Sequence, residues 1–146
     1  MEKPILWMVI PCYNEEEVLP ETAKRLKNVL ADLVVREKIS PDSRVAFVDD
    51  GSRDSTWSMI KDLYENDFVF AGVKLSRNRG HQNAVLAGLM TARAYCDAAI
   101  SMDADLQDDV NAIEAMVDKY LAGADIVYGV RSDRATDTAF KRGTAH

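Results

Sequence analysis

Cysteine is scarce: Cys12 and Cys96 stand far apart with no CxxC spacing, which points to single thiols in a reducing compartment, both read as small buried side chains. Long apolar runs are missing. No stretch approaches 18 residues, so nothing is expected to span a bilayer, and Met1-Glu2-Lys3-Pro4 opens straight into a strand-like run rather than a signal peptide. Basic residues are in deficit, 18 against 24 acidic side chains for a net charge of −6, which disfavours general nucleic-acid binding, and no base-reading motif appears. Two phosphate cradles are also lacking: no GxGxxG follows the first strand-like run, and no Gly-Lys-Ser/Thr loop occurs. Repeats, low-complexity tracts and linkers are absent, so residues 1–146 read as one domain, with 47% hydrophobic residues to supply a core.

What is present is an alternation of strand-like and helix-like periods. Ile5 to Ile10 is a continuous apolar run, stopped by Pro11, and reads as a buried parallel strand. Leu19, Ala23, Leu26, Leu30 and Leu33 then recur at helical spacing to about Arg36. Val45 to Val48 forms a second strand, followed by a helix capped by Asp54 or Ser55 with Trp57, Ile60 and Leu63 on one face. A third strand lies within Val69 to Leu75, before a helix with Val85, Leu89, Ala92 and Cys96 inward. Ala98 to Met102 is the fourth strand. The next helix is capped by Asp108 or Asp109, carries Val110, Ile113, Val117, Tyr120 and Leu121, and ends at Gly123. Ile126-Val127-Tyr128 makes a fifth strand, and beyond Gly129 no element with a clear period follows.

This order predicts an α/β fold: a mainly parallel sheet of right-handed βαβ units with helices on both faces. Ligands of such sheets sit outside the carboxyl ends of the strands. Five polar clusters occur there: Pro11 to Glu15, Asp49-Asp50, Ser76 to His81, Asp103 to Gln107, and Gly129 to Arg131. Asp50 could accept hydrogen bonds from a ribose or base edge, although Asp-Gly-Ser is also good turn chemistry. Glu15 reads either as a ligand-binding acid or as the first-turn acid a helix dipole favours. Arg77, Arg79 and His81 could approach phosphates or form a solvated face.

The most informative cluster is Asp103-Ala104-Asp105-Leu106-Gln107. In an extended segment alternate side chains share a side, so Asp103 and Asp105 can face one object. Hard oxygen donors, with the Gln107 amide oxygen as a third, suit Mg²⁺ or Mn²⁺, and neither His nor Cys stands nearby in sequence to argue for zinc. The competing reading is a solvated loop that caps the following helix. A cation beside a nucleotide-sized edge suggests chemistry in which a diphosphate leaves.

Pro11-Cys12-Tyr13-Asn14-Glu15, Val48-Asp49-Asp50-Gly51-Ser52-Arg53-Asp54-Ser55-Thr56, Ser76-Arg77-Asn78-Arg79-Gly80-His81-Gln82 and Asp103-Ala104-Asp105-Leu106-Gln107-Asp108, in this order and spacing, resemble glycosyltransferase family 2. The nearest likeness is to the polyprenyl-phosphate glycosyltransferases, the group of dolichol-phosphate mannose synthase and undecaprenyl-phosphate glucosyltransferases. The resemblance implies a GT-A (Rossmann-like) fold, a nucleotide-sugar donor, a divalent metal, a polyprenyl-phosphate acceptor and inversion at the anomeric carbon. By motif position it implies that Pro11, Tyr13, Glu15, Val48 and Asp50 hold the nucleoside. Asp103, Ala104, Asp105 and Gln107 would hold metal and diphosphate, with Asp105 and Gln107 as direct ligands and Asp103 and Asp105 as the catalytic pair. Arg131 would contact donor or acceptor phosphate, and Arg134, Lys141 and Arg142 are acceptor-phosphate candidates against an ordinary basic surface. Arg79 departs from the aromatic or apolar residue frequent at that place in the family.

Family members continue with acceptor-side structure and, in many, membrane helices, so the chain is expected to be C-terminally truncated. The expected location is the cytoplasm, at the cytoplasmic face of the membrane in the full-length protein, with membrane association through the missing parts and a homo-oligomer among the expected partners. Rival readings are a family 2 enzyme acting on a polysaccharide, lipid or protein hydroxyl with a carboxylate base, and a non-catalytic nucleotide-binding fragment. A phosphatase or response-regulator domain using Asp103 fits poorly, because its Thr/Ser and Lys partners find no place here.

Overall fold

The computed structural model describes residues 3–105, 111–123, 126–130 and 139–143. The chain divides into two compact units, Met1–Leu106 and Gln107–His146.

In the first unit the elements are β1 (Leu6–Cys12), α1 (Leu19–Val35), β2 (Arg44–Asp49), α2 (Thr56–Asn66), β3 (Phe70–Lys74), α3 (His81–Ala92) and β4 (Ala98–Ser101). The strands form one parallel sheet in the order β3-β2-β1-β4. All seven residues of β1 are buried, as a central strand covered on both faces requires. The strand runs past the expected stop at Ile10 and through Pro11. The Val9 carbonyl accepts from Met102 on the β4 side, and the Cys12 carbonyl accepts from Asp50 on the β2 side. Backbone polar groups alternate along a strand, so Pro11 faces the β4 side, beyond the end of β4 at Ser101, where no N–H is needed.

Helices cover both faces. On one, α3 lies over Trp7, Val9, Ala46, Val48 and Ala71. Its buried line is Ala84, Gly88 and Ala92, and the expected inward residues Val85, Leu89 and Cys96 are only half-buried. The line is displaced because the smallest residues permit the closest approach: a Cβ on Gly88 would stand 2.5 Å from Val9 Cγ1 and 2.7 Å from Val48 Cγ2. On the other face, α1 buries Leu19, Ala23, Leu26, Leu30 and Leu33, the predicted stripe, and α2 packs Ile60 and Trp57 over Gly72 of β3.

The second unit contains α4 (Asn111–Leu121), β5 (Ile126–Val130) and β6 (Ala139–Gly143). Ile113, Met116 and Val117 of α4 are buried, whereas Leu121 is 46% exposed. The fifth strand does not extend the parallel sheet: β5 pairs antiparallel with β6, Ile126 opposite Gly143 and Val130 opposite Ala139. An apolar run such as Ile-Val-Tyr carries no signal for strand direction, and Ala-Phe-Lys-Arg-Gly lacks the alternation that would have announced its partner. Gly129 therefore lies within a strand, not after one, and Lys141 and Arg142 belong to β6. Asp108, Arg131 and Arg134 lie outside the described residues.

Candidate functional site

Sequence order in the sheet reverses between β1 and β4, so the crevice where a parallel sheet takes its ligand opens at the carboxyl ends of these strands. Three loops beside it are locked by bonds between motif side chains and backbone. Asn14 sits in the left-handed region at φ 52. Its N–H donates to Ser52 Oγ (2.9 Å), and its Oδ1 accepts from the Arg53 N–H (2.8 Å). Thr56, fully buried, accepts from the Glu15 N–H (2.8 Å) and donates its hydroxyl proton to Asp54. Asp54 also accepts from the Thr56 and Glu16 N–H groups, while Glu16 accepts from the Ser55 N–H. Burial raises the Asp54 pKa, but the bonds from Thr56 and Glu16 outweigh it and hold the carboxyl below its usual range. Asp54 thus clasps the β1 loop to the start of α2 rather than serving as a simple cap.

Asp50 performs the same service for the loop after β3. Only 4% exposed, it accepts from the Arg79 N–H at Oδ1 (2.7 Å) and from the Gly80 N–H at Oδ2 (3.2 Å). Gly51 (φ +74) lets the two loops touch backbone to backbone: a Cβ there would stand 2.4 Å from the Asn78 nitrogen.

These loops enclose a cavity of about 210 Å³ lined by Pro11, Cys12, Tyr13, Glu15, Asp50, Asn78, Gly80 and His81. Four residues expected to hold a nucleoside, Pro11, Tyr13, Glu15 and Asp50, therefore meet in one place. Val48 does not join them: it is fully buried beneath α3, so its side chain supports the sheet and offers a ligand no surface. Cys12 is 1% exposed, and burial, then the charges of Glu15 and Asp49, keep it a thiol. Burial, helped by Asp97, does the same for Cys96.

The acidic loop follows β4. Asp105 is exposed, Asp103 is partly shielded, and Ala104 is buried with its carbonyl accepting from the Thr22 hydroxyl of α1. The fold brings this loop to Glu15: burial first, then the charge of Asp105 and, more weakly, that of Asp103 push the Glu15 carboxyl above its ordinary range, against a lowering backbone bond at Tyr13. Glu15 thus lies within reach of the charges of Asp103 and Asp105, and all three are hard oxygen donors, the donor type a Mg²⁺ or Mn²⁺ ion takes. The described residues alone do not assemble three His, Cys, Asp or Glu side chains around one cation position, and Gln107 lies outside them.

Sequence spacing missed one neighbour. His81 opens α3 and places Nε2 3.0 Å from Asp103 Oδ1. Arg77 and Arg79 are exposed and do not line the cavity.

The chain is 50% identical over 143 residues to YkoT of Bacillus subtilis (strain 168), an uncharacterized glycosyltransferase, covering 98% of this chain and 42% of that protein. It is 38% identical to the prophage bactoprenol glucosyl transferase homolog of Escherichia coli (strain K12), covering 94% of this chain and again 42% of the relative. Among solved structures, the mannosyltransferase PcManGT from Pyrobaculum calidifontis, in complex with GDP-Man and Mn²⁺, matches with a TM-score of 0.60 at 25% identity, covering 87% of this chain and 35% of that one. The parallel sheet with its helices is GT-A-like, and the chain spans roughly two-fifths of the length of these curated relatives. Residues 7–145 match the family described as Glycosyl transferase family 2, and the chain belongs to that family.

Proposed function

We propose that this chain is the donor-binding part of a metal-dependent, inverting hexosyltransferase that moves a sugar from a UDP- or GDP-sugar to a polyprenyl phosphate. The observation that carries the reading is the convergence of the cavity at the ends of β1 and β2 with the carboxylates after β4. The bactoprenol glucosyl transferase name of one relative and the GDP-Man and Mn²⁺ of a structural neighbour support the acceptor and donor classes.

In this reading the exposed Tyr13 ring flanks the base. Asp50 keeps lone pairs beyond those spent on Arg79 and Gly80, because each carboxylate oxygen has two, and these accept from the nucleoside. Asp103 and Asp105 would hold the metal and the diphosphate, with Asp105 a direct ligand, and the chemistry a bound Mg²⁺ or Mn²⁺ would supply is neutralisation of charge on the departing diphosphate. Roles for Gln107 as a further ligand and Arg131 as a phosphate contact rest on the family resemblance alone. An acceptor phosphate, with a second pKa of about 6, is already largely ionised, so its oxygen bonds to the anomeric carbon as the bond to the diphosphate oxygen breaks, and no carboxylate base is required. Because that acceptor is a lipid, we place the working site at the cytoplasmic face of a membrane. Among the described residues no helix is long and apolar enough to cross one.

Thermal-shift measurements with UDP-glucose and GDP-mannose, with and without Mn²⁺, test the assignment. One donor is expected to raise the melting temperature in a Mn²⁺-dependent way, and Asp105→Ala, at an exposed position, to abolish that shift while folding normally. Unchanged Mn²⁺-dependent donor binding in Asp105→Ala would refute the metal assignment.

A further inference from the structure

The contact between His81 and Asp103 joins two motifs that lie 22 residues apart. The imidazole is 59% exposed and the carboxylate 15% exposed, so the shielded partner is the acid. An ionised carboxylate only accepts, so Nε2 carries the proton and donates, which fixes the tautomer of the ring. A hydrogen bond to Oδ1 restrains rotation of the carboxylate and thereby sets the direction of its second oxygen. It also ties the acidic loop to the start of α3, which Asp50 grips through Arg79 and Gly80. The nucleoside cavity and the acidic loop are thus parts of one hydrogen-bonded frame that includes His81.

We infer that His81 is a positioning residue for Asp103, holding its carboxylate in the orientation in which the acidic loop receives a divalent cation. The inference rests on the donor-site reading above and deepens it. Outer partners that orient the carboxylates of a metal site typically change metal affinity 10- to 100-fold when removed, and that range is the expected effect of His81→Ala.

The test measures Mn²⁺ affinity in the presence of UDP or GDP, from the electron paramagnetic resonance of free Mn²⁺, for the 146-residue chain and its variants. His81→Ala is expected to weaken binding by about one to two orders of magnitude. His81→Gln, which retains an N–H donor, recovers part of the loss, and His81→Ala adds nothing once Asp103→Asn is present. A metal-free readout accompanies it. The chain has two histidines, so long-range proton–nitrogen spectra resolve His81, with the Nε2-protonated tautomer expected in the wild type and tautomeric averaging in Asp103→Asn. Wild-type affinity in His81→Ala, or averaging already in the wild type, overturns the inference alone. Failure of the wild type to bind Mn²⁺ with either nucleotide overturns the donor-site reading and the inference with it.

Discussion

The contact between the loops after β2 and β3 sets the strictest demand on a single residue. Gly51 adopts φ +74, and a Cβ built there would meet Asn78 N at 2.4 Å, the Arg77 carbonyl carbon at 2.6 Å and Arg77 Cα at 3.0 Å. All three are backbone atoms that cannot rotate away. For Gly51→Ala the left-handed conformation costs about 1–2 kcal/mol and the overpacking about 1–3 kcal/mol, against a gain of about 0.4–1 kcal/mol from the less flexible unfolded chain. The net loss is about 2–4 kcal/mol, or a fall in melting temperature of roughly 4–16 °C at about 2–4 °C per kcal/mol. Gly51→Asn separates two explanations. Were Gly51 needed only for its positive φ, Asn, which visits that region readily, would be tolerated to within about 1 kcal/mol. Because close approach is the stronger constraint, Asn is expected to cost about as much as Ala, and both variants to lose nucleotide affinity as the loop carrying Asn78 is pushed off Asp50. Urea denaturation and calorimetry with UDP and GDP read the two effects. A Gly51→Asn variant of near wild-type stability would refute the argument.

Two further outcomes follow from the same geometry. Glu15 has a folded-state pKa raised by burial and by Asp105, so its contribution to stability is fully present below the unfolded value, near 4.3, and is lost as pH rises through the folded value. Glu15→Gln is therefore expected to melt higher than the wild type at neutral pH, with the difference vanishing near pH ~4, as thermal unfolding across that window will show. Asp50→Asn turns one of the two buried oxygens that accept from the Arg79 and Gly80 amides into a donor, at a cost of about 1–3 kcal/mol, and hydrogen exchange should accelerate at those amides.

Much of this was readable from residue order. Continuous apolar runs at Leu6 to Ile10 and Val45 to Val48 mark strands buried on both faces, and the helical stripes between them, such as Leu19-Ala23-Leu26-Leu30-Leu33, make the sheet parallel, because each crossover helix returns the chain to start the next strand in the same direction. That sheet in turn places the polar motifs after β1 to β4 at one edge. The antiparallel pairing of β5 with β6 and the inward line of α3 escaped for opposite reasons. Strand direction leaves no trace in a short apolar run, and bulky residues advertise a helix face whose centre is set by the smallest ones, Ala84, Gly88 and Ala92.

Residue types alone identified Asp103 and Asp105 as oxygen donors and Asp50 as an acceptor, since those capacities are intrinsic to the side chains. Partnership was decided by the fold. Asp50 spends itself on two amides of a distant loop, Glu15 is set against the charges after β4, and His81 reaches Asp103 across 22 residues. Such pairings depend on which strands are neighbours, and placing β4 beside β1 is a tertiary event with no local signature in the chain.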